Sequence, residues 1–333
     1  MPGGLLTDLY ELNMAVSYLR RGMTGPATFS LFVRQLPPDG GFLIAAGLED
    51  CLAFLEQLAF TAADLAWLAE SQGFSEPDLE ALRRLRFTGD VWAVPEGTAV
   101  FAGEPLVEVT APIAEAQLAE TVLLNHVTFQ TGIASKAARC VLAARGAQLA
   151  DFSFRRTQGI EAGLAVARAS AIAGFTATSN TEAARRYGLT AAGTMAHSYV
   201  EAFGSEERAF TAFAGDFPGK TTFLVDTYDT EQGVRAAIDV ARRLRLPGPV
   251  GVRLDSGDLA TLAVRARRLL DDARLPDARI FASGGLDEHA IAALQRPTPR
   301  STPTGSAPRW ASPPMRPTWT APTSSWPTPT GRS

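Results

Sequence analysis

The stretch TTFLVDTYDTEQGVRAAIDVARRLRLPGPVGVRLDSGDLATLAVRARRLLDDARLPDARIFASGG (221–285) decides the architecture. Three short apolar runs, TTFLVDTYD, PVGVRLDSG and RIFASGG, alternate with helical patterns over 231–245 and 258–273, and a further helix starts at Leu286. Upstream, a long helix over 115–145 precedes AQLADFSF, GFTATS and LTAAGTMA, with helices from about 160 and from Thr181 between them. Six short apolar strands separated by helices predict parallel β/α units, and their number favours a barrel over an open sheet. No repeat beyond this alternation is present.

Toward the N-terminus the pattern differs. Residues 5–21 carry apolar residues at helical spacing, with Thr7 as N-cap and Gly22 as the stop. ATFSLFVR (27–34) alternates as a strand does, PPDGG (37–41) reads as a turn, and 47–85 reads as two or three helices. VWAVPEGTAVFAGEPLVEVTAP (91–112) is β-rich and punctuated by turns. The expected organisation is an α/β sandwich domain over 1–115, an α/β barrel over 116–295 and a tail over 296–333.

That tail changes composition abruptly. It holds 10 of the 22 prolines and 3 of the 5 tryptophans, with no acidic residue and no Leu, Ile, Val, Phe or Tyr. It offers too little apolar surface to offset the entropy of ordering it, so disorder is expected. A natural Pro/Thr/Ser-rich linker accounts for the prolines, whereas the tryptophans point to a shifted reading frame. Read one base early, TPTGSAPRWA (302–311) is compatible with DAYGIGTALG, a globular pattern.

Composition narrows the function classes. Of 333 residues, 46% are hydrophobic, and 31 basic against 35 acidic residues leave a net charge near -4. No basic field is present to hold a nucleic-acid backbone. Two cysteines exclude a disulfide scaffold and a multi-cysteine zinc site, and the three histidines have no metal-cluster spacing. No signal peptide pattern opens the chain and no run of 18 apolar residues occurs, so a cytoplasmic protein without a membrane span is expected.

The residues just after each strand carry the chemistry, because barrels of this kind place their sites in those loops. They are Arg155-Arg156, Ser179-Asn180, Thr194 with His197-Ser198, Asp226-Thr227-Tyr228-Asp229, Arg253 with Asp255-Ser256-Gly257-Asp258, and Ser283-Gly284-Gly285. Arginines and glycine-exposed N–H groups suit phosphate oxygens, and carboxylates suit Mg²⁺ or a cationic centre. Singly, each is an ordinary turn or solvated face; their coincidence at six strand ends is the signal. His126 and His289 read as structural or surface residues. His197 fits a proton or phosphoryl acceptor and a structural histidine equally well. From spacing alone, Tyr10 reads as core packing in the first helix. Phe152 and Phe154 alternate on a strand with Arg155 behind them, where core packing again competes with stacking on a flat ring.

LLTDLYELNMA (5–15), LLNHVTFQTGIASKAAR (123–139), DFSFRRTQG (151–159), GTMAHSYV (193–200), VDTYDT (225–230), GVRLDSGDL (251–259) and ASGGLDE (282–288) together resemble the nicotinate phosphoribosyltransferases. GTMAHS combined with VRLDSGD is the most specific element. The resemblance runs in order to about residue 294. It implies a type II phosphoribosyltransferase-like fold: an α/β sandwich joined to an irregular (β/α) barrel, working as a homodimer with shared sites.

The implied reaction joins nicotinate and 5-phosphoribosyl 1-pyrophosphate, coupled to ATP hydrolysis and with Mg²⁺, to give nicotinate mononucleotide and pyrophosphate in NAD salvage. By resemblance, His197 is phosphorylated by ATP. Tyr10 reaches a neighbouring subunit's pyridine ring, Phe152 lies on its other face, and Thr194 and Arg253 contact nicotinate. Arg155, Asp255, Ser283, Gly284 and Gly285 lie along the phosphoribosyl pyrophosphate.

The family's G-x-G-T phosphate loop falls here at Gly305, Ser306, Ala307 and Pro308, which depart from that pattern. An incomplete barrel and a poorly stable, weakly active or inactive chain are therefore expected. The competing readings are a nicotinamide or quinolinate phosphoribosyltransferase, a non-catalytic truncated pseudoenzyme, and, more remotely, an aldolase-type barrel. The last would need a Schiff-base lysine on a barrel strand, and neither Lys136 nor Lys220 lies in an expected strand.

Overall fold

The computed structural model describes residues 3–37, 40–219 and 221–295, together with the backbone of 314–315. The chain divides into two compact units, Met1–Ser135 and Lys136–Ser333. The division falls inside one long helix, further along it than the 115/116 boundary expected from the pattern change.

The first unit contains α1 (Leu9–Arg20), β1 (Pro26–Phe32), β2 (Leu43–Ile44), α2 (Leu48–Gln57), α3 (Ala62–Gln72), α4 (Glu76–Arg84), β3 (Asp90–Ala93), β4 (Ala99–Val100), β5 (Pro105–Pro112) and the first part of α5 (Ile113–Ala144). β5 is the central strand of an antiparallel sheet ordered β1-β5-β3, and β2 pairs with β4. Val107, Val109 and Ala111 alternate inward from β5 and meet Ala116, Ala119, Leu123 and Val127 of α5. Ala114 and Leu118 of the same helix join a second core formed with α1, α3 and α4. A helix buried on two sides by a sheet and a helical layer makes this a sandwich.

Helix α1 begins at Leu9, with Asp8 rather than Thr7 at the N-cap position. The Thr7 hydroxyl donates instead to the Glu11 carboxylate, and Asp8 exchanges hydrogen bonds with Thr121 of α5. Glu11, Leu12, Ala15 and Val16 form the buried face, so Tyr10 is half exposed and not the core residue that spacing alone implied.

The second unit holds the rest of α5, then β6 (Ala150–Asp151), α6 (Ile160–Ile172), β7 (Ala177–Thr178), α7 (Thr181–Tyr187), β8 (Thr190–Ala191), α8 (His197–Ala202), α9 (Glu206–Asp216), β9 (Thr222–Leu224), α10 (Thr230–Leu244), β10 (Gly251–Leu254), α11 (Leu259–Asp272), β11 (Arg279–Ala282), α12 (Glu288–Leu294) and β12 (Pro314–Met315). All six expected strands are present and parallel. They form two groups, β6-β7-β8 with β12 beside β6, and β9-β10-β11. Among the described residues no ladder joins the groups to each other. Of the tail, Pro314–Met315 pairs with Ala150–Asp151; its expected disorder and the departed phosphate loop otherwise lie outside the described residues, as does Lys220.

Phe223, Val252 and Ile280 are completely buried against α10 and α11. Register places Arg253 level with Leu224 and Phe281, so the two-residue alternation turns Arg253 to the opposite face of the sheet.

Candidate active site

Each strand of the second group ends by handing a polar residue to the next. The Val225 N–H donates to the Arg253 carbonyl and the Ser283 N–H to the Leu254 carbonyl, which fixes the heights of the three strand ends. Asp226, Asp255 and Ser283 follow directly. Asp226 Oδ2 accepts from the Asp255 N–H at 2.8 Å and the Ser256 hydroxyl at 2.7 Å, tying the loop after β10 to the end of β9.

Arg253 stands at the centre. Its Nε donates to Ser283 Oγ at 2.8 Å, Nη1 to Thr194 Oγ1 at 2.9 Å, and Nη2 to Asp255 Oδ1 at 2.7 Å. The Arg253 and Asp255 side chains are each only 12% exposed, so water screens this ion pair weakly. Ser283 is buried and its hydroxyl also donates to Asp255. Bonds from all three guanidinium nitrogens fix its plane.

His197 opens α8 and faces the same cluster. Its Nδ1 lies 3.2 Å from Thr227 Oγ1, and its Nε2 lies 3.9 Å from Asp255 Oδ2. The imidazole is 41% exposed, so a reacting group can approach it.

Glycine at 284 is imposed by the loop. Its φ is +107°, and an added Cβ would stand 2.4 Å from the Asp255 carbonyl oxygen. Gly285 follows with φ +68°, so the backbone itself lines this side of the site.

The loop after β6 is organised separately. Asp151 is buried, and its Oδ1 accepts from the Ser153 N–H at 2.9 Å and the Ser153 hydroxyl at 2.6 Å, while Oδ2 accepts from Thr178 Oγ1 at 2.9 Å. These bonds end the strand at residue 151. Phe154–Arg156 forms a short 3-10 turn rather than the strand continuation that alternation implied. Phe152 is half-buried and Arg155 exposed. No hydrogen bond or ion pair among the described residues joins either to the Arg253 cluster. Tyr10 belongs to the first unit, where its hydroxyl donates to Glu11 Oε1 at 3.0 Å. Burial, followed by the Glu11, Glu120 and Asp8 carboxylates, pushes that phenol up to about 12.

Two acids of the strand-end set have structural work instead. Asp229 and Asp258 cap α10 and α11, accepting from the Gln232 and Thr261 N–H groups, as Asn180 caps α7. Conversely, Asp226 and Thr227 bond to Asp255, Ser256 and His197, and Asp151 orders the separate loop after β6, although the resemblance had given none of them a role. The signal for Asp151 was present as an acid at the end of an apolar run.

At the strand ends of the second unit an arginine, a carboxylate, a serine-glycine-glycine loop and a histidine thus come together. Residues 5–128 match the nicotinate phosphoribosyltransferase N-terminal domain, and residues 133–309 match the C-terminal domain of quinolinate phosphoribosyl transferase. The chain is 52% identical over 293 residues to a nicotinate phosphoribosyltransferase of Mycobacterium tuberculosis, covering 88% of this chain and 63% of that one. It is 45% identical to the Bacillus subtilis nicotinate phosphoribosyltransferase, covering 87% and 60%. The human nicotinic acid phosphoribosyltransferase structure superposes with a TM-score of 0.78 at 32% identity, covering 87% of this chain and 70% of that one. The chain belongs to the nicotinate phosphoribosyltransferase family. It spans about three fifths of the length of those two bacterial relatives.

Proposed function

We propose that this chain carries the site that joins nicotinate to 5-phosphoribosyl 1-pyrophosphate, giving nicotinate mononucleotide and pyrophosphate, with ATP hydrolysis coupled through His197. The observation that carries this reading is the single hydrogen-bonded cluster of Arg253, Thr194, Asp255 and Ser283 with His197 at its edge.

Arg253 and Thr194 bind the nicotinate carboxylate, and its charge is what separates nicotinate from nicotinamide. As the ribosyl–pyrophosphate bond loosens, positive charge grows on the sugar and the Asp255 carboxylate opposes it. Ser283, the N–H groups of Gly284 and Gly285, and Arg155 hold phosphate oxygens. Phe152 and the Tyr10 of a second subunit cover the ring in a homodimer. With Nδ1 engaged by Thr227, Nε2 is the nitrogen open to the phosphoryl group of ATP.

Among the described residues no three carboxylate, thiol or imidazole groups converge to hold a metal, and Asp255 is committed to Arg253 and Ser283. The residues therefore do not fit a dedicated protein cage for Mg²⁺. Mg²⁺ bound to the pyrophosphate would offset the negative charge that builds on this leaving group. We place the reaction in the cytoplasm. No single helix among the described residues is long and apolar enough to cross a membrane.

The test is to incubate the full chain with γ-labelled ATP and to titrate it with nicotinate and nicotinamide. Acid-labile label on His197, nicotinate binding that exceeds nicotinamide binding, and nicotinate mononucleotide formation support the assignment. Binding of neither pyridine and absence of label refute it and favour a non-catalytic chain.

A further inference from the structure

The loop after β6 is closed by a circuit of buried polar groups that no step above uses. Asp151, Ser153, Thr178 and Asn180 are all buried. Asp151 Oδ1 takes both donors of Ser153, its N–H at 2.9 Å and its hydroxyl at 2.6 Å, and Oδ2 takes the Thr178 hydroxyl at 2.9 Å. Thr178 Oγ1 in turn accepts the Asn180 N–H at 3.1 Å, and Asn180 Nδ2 donates to the Gly163 carbonyl of α6 at 3.3 Å. At Gly163 the circuit returns to the loop, because an added Cβ there would stand 2.3 Å from Phe154 Cδ2. Only glycine lets the Phe154 ring lie this close to the helix.

The residues fixed in this way alternate with those given a ligand. Ser153 is held by its N–H and its hydroxyl, and its carbonyl accepts the Arg156 N–H at 2.7 Å to open the 3-10 turn. Phe154 is held by its ring against Gly163 and by the Thr157 hydroxyl, which donates to its carbonyl at 2.8 Å. Phe152 lies between Asp151 and Ser153, and Arg155 between Phe154 and Arg156. Asp151 is the hub where bonds from the loop and from β7 meet, and its three donors compensate the burial of a carboxylate that would otherwise be costly.

We propose that Asp151 is a positioning residue: through Ser153 and Thr178 it sets the 152–156 turn that presents Phe152 to the pyridine ring and Arg155 to the sugar pyrophosphate. The consequence for the ligands rests on the roles given to Phe152 and Arg155 above; the geometry of the turn does not.

The test uses the full chain, first without substrates, and follows backbone amide exchange over 152–157. Asp151→Ala speeds exchange there roughly tenfold while β9, β10 and β11 stay as protected as in the wild type. Asp151→Asn, which keeps an acceptor oxygen for Ser153, stays within about twofold of the wild type. Binding of 5-phosphoribosyl 1-pyrophosphate follows the same order, weakening roughly tenfold in Asp151→Ala and recovering to within about twofold in Asp151→Asn. Arg155→Ala weakens the same binding, and adding Asp151→Ala to it changes little more, as two residues acting through one contact require. Should Asp151→Ala fail to fold, Thr178→Val takes its place, removing the donor to Oδ2 at nearly constant volume and loosening the same segment. Wild-type exchange over 152–157 in these variants, exchange raised equally in β9, β10 and β11, or additive losses in the double variant overturn the proposal. A wild-type chain that binds no 5-phosphoribosyl 1-pyrophosphate, or an Arg155→Ala variant that binds it as the wild type does, refutes the role of Arg155 and leaves amide exchange to decide the role of Asp151.

Discussion

Arg253 Nη1 and Thr194 Oγ1 lie 2.9 Å apart although 59 residues separate them in sequence. Thr194 follows β8, the last strand of one parallel group, and Arg253 is in the middle strand of the other. No strand ladder among the described residues connects the groups, so this side-chain bond does at the strand ends what backbone pairing does elsewhere. The guanidinium proposed to bind the nicotinate carboxylate thus also links the two strand groups.

Arg253→Ala should therefore show two separable effects. Nicotinate affinity falls about 100-fold, the scale of a lost charge-assisted bidentate contact, while nicotinamide affinity changes little. Stability falls as well, because the largely buried ion pair between Arg253 and Asp255 is broken. Arg253→Lys restores charge but not the fork, so it recovers only part of the affinity. Paired calorimetric titrations of the two pyridines, with thermal melts, check both effects.

Gly284→Ala tests the backbone wall of the site. At φ +107° an alanine is strained by about 1–3 kcal/mol, and its methyl group would meet the Asp255 carbonyl oxygen. The loop must move, which displaces the N–H groups expected to hold pyrophosphate. Binding of 5-phosphoribosyl 1-pyrophosphate should weaken at least tenfold, with nicotinate binding much less affected. Equal loss of both ligands would show that the loop serves the whole site and not the phosphate alone.

Much of this was legible before any coordinates. The six strands of the second unit, the strand-end positions of Arg253, Asp255 and Ser283, and the exposure of His197 follow from period-two and helical patterns and from where parallel units place their loops. What escaped was local competition for hydrogen bonds. Periodicity extends a strand through Phe154, but the Asp151 carboxylate captures the Ser153 N–H and ends it at residue 151. Thr7 is a good N-cap by type, yet its hydroxyl goes to Glu11. Glu206 is an ordinary first-turn acid in sequence, and only packing reveals that it is buried.

The first unit carries its own pH signature. Asp78 is buried and takes a bidentate pair of bonds from Arg20, at 2.8 and 2.7 Å, while also serving Ser75 in the cap of α4. The Arg20 guanidinium holds this carboxyl well below its usual range. A depressed carboxyl stabilises the fold above its unfolded value of about 4, and that stability is lost as pH falls toward the folded value. Asp78→Asn should cost about 2 kcal/mol at pH 7 and progressively less below pH 4. Glu206, raised to about 7, acts in the opposite sense and loses its contribution as pH rises through that value. It is common to both proteins, so denaturant midpoints compared at each pH isolate Asp78.

His197→Gln separates the two roles that its position in the sequence leaves open. A glutamine amide can still meet Thr227 Oγ1, so a histidine present only to anchor α8 is replaced at little cost, within about 0.5 kcal/mol for a half-exposed site. An amide nitrogen, however, is not a nucleophile toward ATP, because its lone pair is delocalised into the carbonyl. If His197 accepts the phosphoryl group, the variant melts with the wild type and binds nicotinate through Arg253 as before, yet takes up no acid-labile phosphate and loses all ATP-dependence of ribosyl transfer. If it only packs, ATP-coupled turnover survives. Phosphate incorporation measured beside a thermal melt decides between them, and label persisting in His197→Gln would move the phosphoryl acceptor to another residue.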